Sequence, residues 1–269
     1  MSKPVVEGTP IGFAISENDK RTMAMVSAAL DERRVALAYQ PVVLGSDPEQ
    51  IAFYEGLIRV MEPSGRIIPA RDFMDAVEEQ ETGRRIDCAA LELGLAALRR
   101  TPTLRLAINM SARSIGYAPW MRVLMAGLKQ DATVGERLIL EITESSAMLV
   151  PELVTAFMDD LQKYGIAFAL DDFGAGFTAF RYFKDFFFDM VKIDGQFIRS
   201  IQADPDNQVL TKALLSIGRH FEMVTVAESV ETVEEAEFLR ALGVDCLQGY
   251  LFGAPSTRPA WAEDARKRA

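Results

Sequence analysis

RLILEIT (137–143) and IAFALDD (166–172) are the two stretches whose reading decides the fold. Each is a short, largely apolar run that meets a carboxylate near its C-terminal end, Glu141 in the first and Asp171 then Asp172 in the second. Runs of this kind suit strands covered by helices on both faces. Between them, LVTAFMDDLQKYG (153–165) carries apolar residues at helical spacing and ends in Gly165, a residue suited to a helix C-cap. Strand, helix, strand is the repeating unit of a parallel sheet.

The same theme continues in both directions. LRLAINM (104–110) precedes these segments; MVKID (190–194), MVTVAES (223–229) and CLQGY (246–250) follow them. ALAYQPVV (36–43) and IAFYEGLIRV (51–60) open the series. The intervening stretches ARDFMDAVEE, DCAALELGLAALRR, PWMRVLMAGLKQ, NQVLTKALLSIGRHF and TVEEAEFLRALG read as helices, the last ending in Gly243. This alternation predicts a TIM-like (βα)₈ barrel, although a doubly wound open sheet shows the same pattern. The linker VLGSDPEQ is too short for a crossover helix, so the first two strands are expected to be antiparallel. The expected organisation is one domain over 22–260, entered through a helix at about 21–33, with tails at 1–21 and 261–269.

Composition narrows the chemistry. Thirty-nine acidic against 29 basic residues give a net charge of −10, which argues against a nucleic-acid polymer as partner. The N-terminal stretch has no signal-peptide pattern and no apolar run reaches the ~20 residues of a membrane span, so the expected location is cytoplasmic, with no membrane partner. Cys88 and Cys246 lie far apart and read as unpaired thiols. A single histidine, His220, at the end of a helical pattern, excludes Ser-His-Asp chemistry and multi-histidine metal cages. Any metal must then be held by oxygen, which selects hard ions such as Mg²⁺ or Mn²⁺.

The polar residues at strand ends supply such oxygens. Glu55, Asn109, Glu141, Asp171, Lys192, Glu228 and Gln248 recur near the C-terminal ends of strands that should be apolar. In a barrel these ends converge on one mouth. Each acid alone could be a helix cap or a surface residue, but their shared position is informative. Glu55, Asn109, Glu141 and Asp171 form a donor set for one cation, and Asp171 with Asp172 could serve a second. Residue type and position leave two reactions open: phosphoryl hydrolysis between two metals, and enolase-type proton abstraction by Lys192.

Tyr39-Gln40-Pro41, Glu55-Gly56-Leu57-Ile58-Arg59, Asn109-Met110-Ser111, Glu141-Ile142-Thr143-Glu144, Asp171-Asp172-Phe173-Gly174-Ala175-Gly176, Lys192-Ile193-Asp194, Ala227-Glu228-Ser229-Val230-Glu231 and Gln248-Gly249-Tyr250 occur in this order. Together, over about 22–257, they resemble the EAL-domain cyclic di-GMP phosphodiesterases. The resemblance implies hydrolysis of cyclic di-GMP to linear pGpG with two Mg²⁺ or Mn²⁺ ions. It implies that Glu55, Asn109, Glu141, Asp171 and Asp172 hold the metals. Lys192 would then position the attacking water, and Glu228 would act as general base or in the outer coordination sphere. Gln40, Arg59, Asp194, Glu231 and Gln248 would contact substrate or support the ligands, and Glu144 would anchor the loop 173–180. In the family this loop links a dimer interface to the metal site.

Three departures from the pattern stand out. Gly56 replaces the signature alanine, Ser229 replaces a glycine in the motif around Glu228, and Phe177-Thr178-Ala179 replaces a hydroxyl-rich triplet. If position 229 has positive φ, serine strains the turn carrying Glu228. Ser229 and the altered loop favour the alternative of a non-catalytic EAL module acting as a cyclic di-GMP receptor or protein-interaction regulator. Phe186, Phe187 and Phe188 cannot all face one core, so one is expected on a homodimer surface near the active-site loop.

Overall fold

The computed structural model describes residues 10–176 and 183–262. Its strands are β1 (Val35–Leu44), β2 (Ile51–Met61), β3 (Ile67–Pro69), β4 (Leu106–Asn109), β5 (Leu138–Thr143), β6 (Ala167–Phe173), β7 (Met190–Ile193), β8 (Val224–Ala227) and β9 (Cys246–Gln248). They form one sheet in the order β1-β9-β8-β7-β6-β5-β4-β2-β3, and a further β1–β2 pairing closes it. The result is an eight-stranded barrel with β3 appended to β2. All barrel pairings are parallel except those of β1, which runs antiparallel to both β2 and β9. The closed barrel with an inverted first strand is therefore the fold, and the open doubly wound sheet is not.

The helices α1 (Pro10–Asp31), α2 (Met74–Val77), α3 (Glu81–Arg100), α4 (Ala118–Gln130), α5 (Glu144–Ala147), α6 (Pro151–Gln162), α7 (Pro205–His220) and α8 (Val233–Leu242) connect the strands or flank them. Strand alternation divides the core into two layers. Outward-facing residues of the strands pack against the helices, as where Trp120 of α4, Phe157 of α6 and Phe168 of β6 meet with ring centroids 5.6 and 5.9 Å apart. Val42, Phe53, Ala107, Ile139, Ala169, Met190, Val226 and Cys246 form a separate apolar cluster, one residue from each of the eight barrel strands. This cluster fills the barrel interior.

Several boundaries differ from the expected ones. α1 begins at Pro10, within the stretch assigned to a tail. Its polar segment has no apolar stripe to announce it, and is held by local pairs such as Lys20 Nζ to Glu17 Oε1 (3.0 Å) and Arg21 Nη2 to Asn18 Oδ1 (2.9 Å). α3 likewise begins at Glu81, whose carboxylate pairs with Arg84 at 2.7 Å. The short strand β3 was not expected; it pairs with β2 through Ile68 opposite Val60. Trp261, expected in the C-terminal tail, packs edge-on against Tyr39 with centroids 4.9 Å apart. Among the described residues no helix is long and apolar enough to cross a membrane.

Candidate metal centre at the barrel mouth

The interior apolar layer fixes the position of every functional side chain above it. In a strand, residues i and i+2 face the same side. Two residues beyond Phe53, Ala107, Ile139, Ala169, Met190, Val226 and Cys246 lie Glu55, Asn109, Glu141, Asp171, Lys192, Glu228 and Gln248. In the inverted strand β1 the equivalent residue lies two before Val42, and it is Gln40. Eight strands thus place eight polar side chains in one ring at one end of the barrel.

Lys192 is the hub of the ring. It is 1% exposed, and its Nζ lies 2.7 Å from Glu228, 3.1 Å from Glu141, 3.1 Å from Asp171 and 3.3 Å from Glu55. Glu55 also accepts hydrogen bonds from Asn109 Nδ2 (2.7 Å, on Oε1) and Gln248 Nε2 (2.6 Å, on Oε2). Gln248 Nε2 further donates to Gln40 Oε1 at 3.2 Å, and Gln40 Nε2 to the Gly253 carbonyl at 3.1 Å.

One ammonium cannot offset three buried carboxylates and the half-buried Glu228. Burial, and next the Glu55 charge, push Glu141 well above the ordinary carboxylate range. Burial also pushes Glu228 well up, although Lys192 draws it back. Glu55 is opposed by burial too, yet Lys192 and the bonds from Gln248 and Asn109 hold it below its ordinary value. Lys192, despite its own burial, is raised well above 10.5 by the surrounding carboxylates. The ring has room for more positive charge. Its buried Glu141 Oε1 and Gln248 Oε1 have no hydrogen-bond partner, and Asp171 Oδ1 faces Lys192 without accepting a hydrogen bond. Asn109 spends its amide nitrogen on Glu55, which leaves its oxygen as a donor to a cation. The set fits a hard divalent ion.

Asp172 reaches the mouth through a local irregularity. Between Leu170 and Phe173 the β6–β7 register slips by one residue, and Asp172 has φ +55. A bulge of this kind lets two adjacent residues serve one site, which strict alternation forbids. Asp171, Asp172 and Glu228 each offer an oxygen within 4.8 Å of the others. Burial, Asp171 and Asp194 raise the Asp172 carboxyl to about 6.

The remaining expected residues line the mouth or brace it. Arg59 and Glu231 lie along a cleft of about 490 Å³ above the ring, and Asp194 stands beside Asp172. Glu144 is buried, and its Oε2 accepts the Gly174 amide at 3.0 Å, which ties down the start of the loop after β6. Phe177, Thr178 and Ala179 lie outside the described residues. Ser229 has φ +57, the strained conformation the sequence raised as a condition. Gly56 faces outward, where a side-chain methyl would lie 2.7 Å from Ile108 Cδ1. Of the three phenylalanines, Phe186 and Phe188 are buried and Phe187 is 55% exposed. Its expected position near the active-site loop is corrected, because these residues immediately precede β7 and so lie at the N-terminal end of the barrel, opposite the mouth.

Sequence reasoning missed Arg71 and Arg199, which line the cleft without any motif to mark them, and it gave no role to Tyr250, which lies within the Gln248-Gly249-Tyr250 motif and also lines the cleft. It also missed Asp87, a buried acid on α3 that accepts from Ser114 Oγ (2.5 Å) and the Ser111 amide (3.0 Å), bracing the loop after Asn109. Burial pushes the Asp87 carboxyl up to about 7, against the effect of those hydrogen bonds. Its ordinary value is 3.8, so the folded state holds this proton more tightly than the unfolded one. The associated stability is full below about pH 4 and is lost as pH rises through about 7. Asp87→Asn should therefore flatten the decline of the thermal midpoint between about pH 4 and 7, as measured by circular dichroism. An unchanged slope would contradict the assignment.

A closed barrel with an inverted first strand and a ring of carboxylates around one lysine defines a class, and comparison with known proteins places the chain in it. The EAL domain family profile matches residues 23–255, and the chain belongs to that family. It is 31% identical over 234 residues to the bifunctional diguanylate cyclase/cyclic di-GMP phosphodiesterase MucR of Pseudomonas aeruginosa, covering 84% of this chain and 34% of that protein. It is 30% identical over 257 residues to the cyclic di-GMP phosphodiesterase PdeB of Shewanella oneidensis, covering 93% and 30%. The chain thus spans about a third of the length of these relatives. Among solved structures, the MucR phosphodiesterase in complex with c-di-GMP superposes with a TM-score of 0.76 at 29% identity, covering 90% of this chain and 99% of that one. The FimX EAL domain from Pseudomonas aeruginosa bound to c-di-GMP gives 0.78 at 25% identity, covering 88% and 97%.

Proposed function

We propose that this protein is a divalent-metal-dependent phosphodiesterase that hydrolyses cyclic di-GMP to linear pGpG. The observation that carries the reading is the complete ring of Glu55, Asn109, Glu141 and Asp171 around Lys192, with buried oxygens still lacking partners. These four would hold one Mg²⁺ or Mn²⁺ ion, and Asp171 with Asp172 a second. When bound, such ions polarise a phosphoryl oxygen and make water a stronger nucleophile. The chain's own groups do the rest. Lys192 offsets charge on the ring and orients the attacking water. Glu228, at the edge of the ring and 2.7 Å from Lys192, takes the proton that water gives up. Arg59 presents paired donors to a phosphate or a guanine edge from the cleft wall. Gln40 and Gln248 hold Glu55 in place, while Asp194 and Glu231 contact substrate or support the ligands.

Substrate identity rests on the names of the relatives and on the cleft, whose rim carries Arg59, Arg71 and Arg199 above an acidic floor. Lys192 abstracting a carbon-bound proton, as in an enolase-type reaction, finds no support. The named relatives favour phosphodiester hydrolysis, and contacts with four carboxylates suit Lys192 to offsetting charge.

Metal removal tests the reading. Protein treated with EDTA should lose cyclic di-GMP turnover and regain it with added Mn²⁺ or Mg²⁺. Full turnover in excess EDTA would contradict it.

We also propose that the protein is a homodimer that uses the exposed ring of Phe187 at the barrel's N-terminal end. Solution scattering should show a dimer at high concentration, and Phe187→Ser should shift it to monomer. A monomeric wild type would end this reading.

A further inference from the structure

The turn that carries Glu228 is clamped between two neighbouring loops. The Glu228 amide donates to the Ile193 carbonyl at 3.2 Å, and the Val230 amide to the Gln248 carbonyl at 2.9 Å. Between these two bonds sits Ser229 at φ +57, a region that glycine enters freely and an L-residue enters at a cost. Its side chain lies directly against Gly195, the residue after Asp194. A methyl group built at position 195 would lie 2.4 Å from Ser229 Oγ and 2.6 Å from Ser229 Cβ, both impossible separations. The next nearest atom, the Glu228 carbonyl oxygen, is 3.9 Å away, an ordinary contact. Gly195 is not among the residues with positive φ, so its backbone would accept alanine without strain. Only the serine opposite requires glycine there.

We propose that Ser229 and Gly195 form a single positioning unit for Glu228. The serine side chain, seated on bare backbone at 195, sets the separation between the loop that carries Asp194 and the turn that carries Glu228. Added bulk at 195 would push that turn outward and pull Glu228 from its 2.7 Å contact with Lys192. Ser229 also lines the cleft beside Glu228; in this proposal both residues act through Glu228, and its functional part rests on the phosphodiesterase reading above.

The test is a cycle of Gly195→Ala, Ser229→Gly and the double variant in the full chain. Each is assayed for kcat and KM on cyclic di-GMP with Mn²⁺, for Mn²⁺ affinity by calorimetry, and for thermal midpoint. Gly195→Ala alone should lower kcat on the order of 10- to 100-fold, the scale of a misplacement near 1 Å, with KM little changed at a temperature where the variant is folded. Its thermal midpoint and Mn²⁺ affinity should also fall. Adding Ser229→Gly removes the clash and should restore most of all three. A double variant as impaired as Gly195→Ala, or a Gly195→Ala protein as active as wild type, would overturn the proposal. If Gly195→Ala does not fold, a folded double variant supports the pairing and an unfolded one overturns it. If wild type shows no turnover, the phosphodiesterase reading fails by itself, and rescue of midpoint and Mn²⁺ affinity still decides the pairing.

Discussion

Lys192→Met is expected to produce the largest loss of any single substitution, in stability and in turnover together. The ammonium is fully buried and lies within 3.3 Å of four carboxylates, so methionine keeps the volume and removes a cation that, among the described residues, alone contacts them all. Breaking a buried charge pair by deleting one partner costs about 3–5 kcal/mol, because the partner is left uncompensated. Here the carboxylates would respond by taking up protons. Glu141 and Glu228 already sit above their ordinary range, and losing Lys192 moves them further in that direction. Groups whose folded pKa is raised stabilise at low pH and lose that contribution as pH rises through it. The variant should therefore lose stability with rising pH more steeply than wild type. Mn²⁺ should raise its thermal midpoint, since a ligand that binds only the folded state stabilises it. Turnover should fall on the order of 10²–10³-fold, the effect of removing one positioned electrostatic group. Calorimetric melts with and without Mn²⁺ across pH, together with product assays, check both parts. A variant as stable as wild type at pH 8 would contradict the charge balance described for the ring.

Glu55→Gln comes next, and its near-isosteric shape should not rescue it. Both carboxylate oxygens are committed as acceptors, Oε1 to Asn109 and Oε2 to Gln248 and Lys192. A glutamine must turn an NH₂ group toward one of these donors: toward Gln248 and Lys192 that is a donor–donor contact, and toward Asn109 it is relieved only if the Asn109 amide flips and gives up the oxygen proposed to face the metal. The substitution also removes a negative ligand from the proposed metal set. Several kcal/mol of transition-state stabilisation are at stake, which corresponds to a drop in kcat of roughly 10³-fold. Mn²⁺ affinity should fall in parallel. A glutamine variant with wild-type kcat and Mn²⁺ affinity would show that Glu55 is not a ligand.

Much of this site was legible because β-strand alternation is simple. A polar residue placed two positions after an interior apolar one points into the barrel mouth, and seven strands repeat that arrangement from Phe53–Glu55 to Cys246–Gln248. Gln40 obeys the same rule in reverse, since β1 runs the other way. What could not be read from spacing depended on contacts distant in sequence. The pairing of adjacent Asp171 and Asp172 was legible, but the bulge that lets both reach one site shows only in the backbone. Asp87 stands in a helical pattern as one acid among apolar residues, and its task appears only when Ser111 and Ser114 fold over it. Gly195 carries no signal of its own in the sequence, and Ser229, which packs against it, lies 34 positions later. Phe187 immediately precedes β7 and so belongs to the end of the barrel opposite Asp172, although only fifteen residues separate the two in sequence.

Product analysis tests the hydrolytic centre most directly. Purified protein incubated with cyclic di-GMP and Mn²⁺, followed by chromatography over time, should convert the cyclic dinucleotide to linear pGpG, and Glu55→Ala under the same conditions should not. Tight binding of cyclic di-GMP by the wild type with no pGpG formed would make the ring of carboxylates part of a receptor, and would contradict the account of a hydrolytic metal centre.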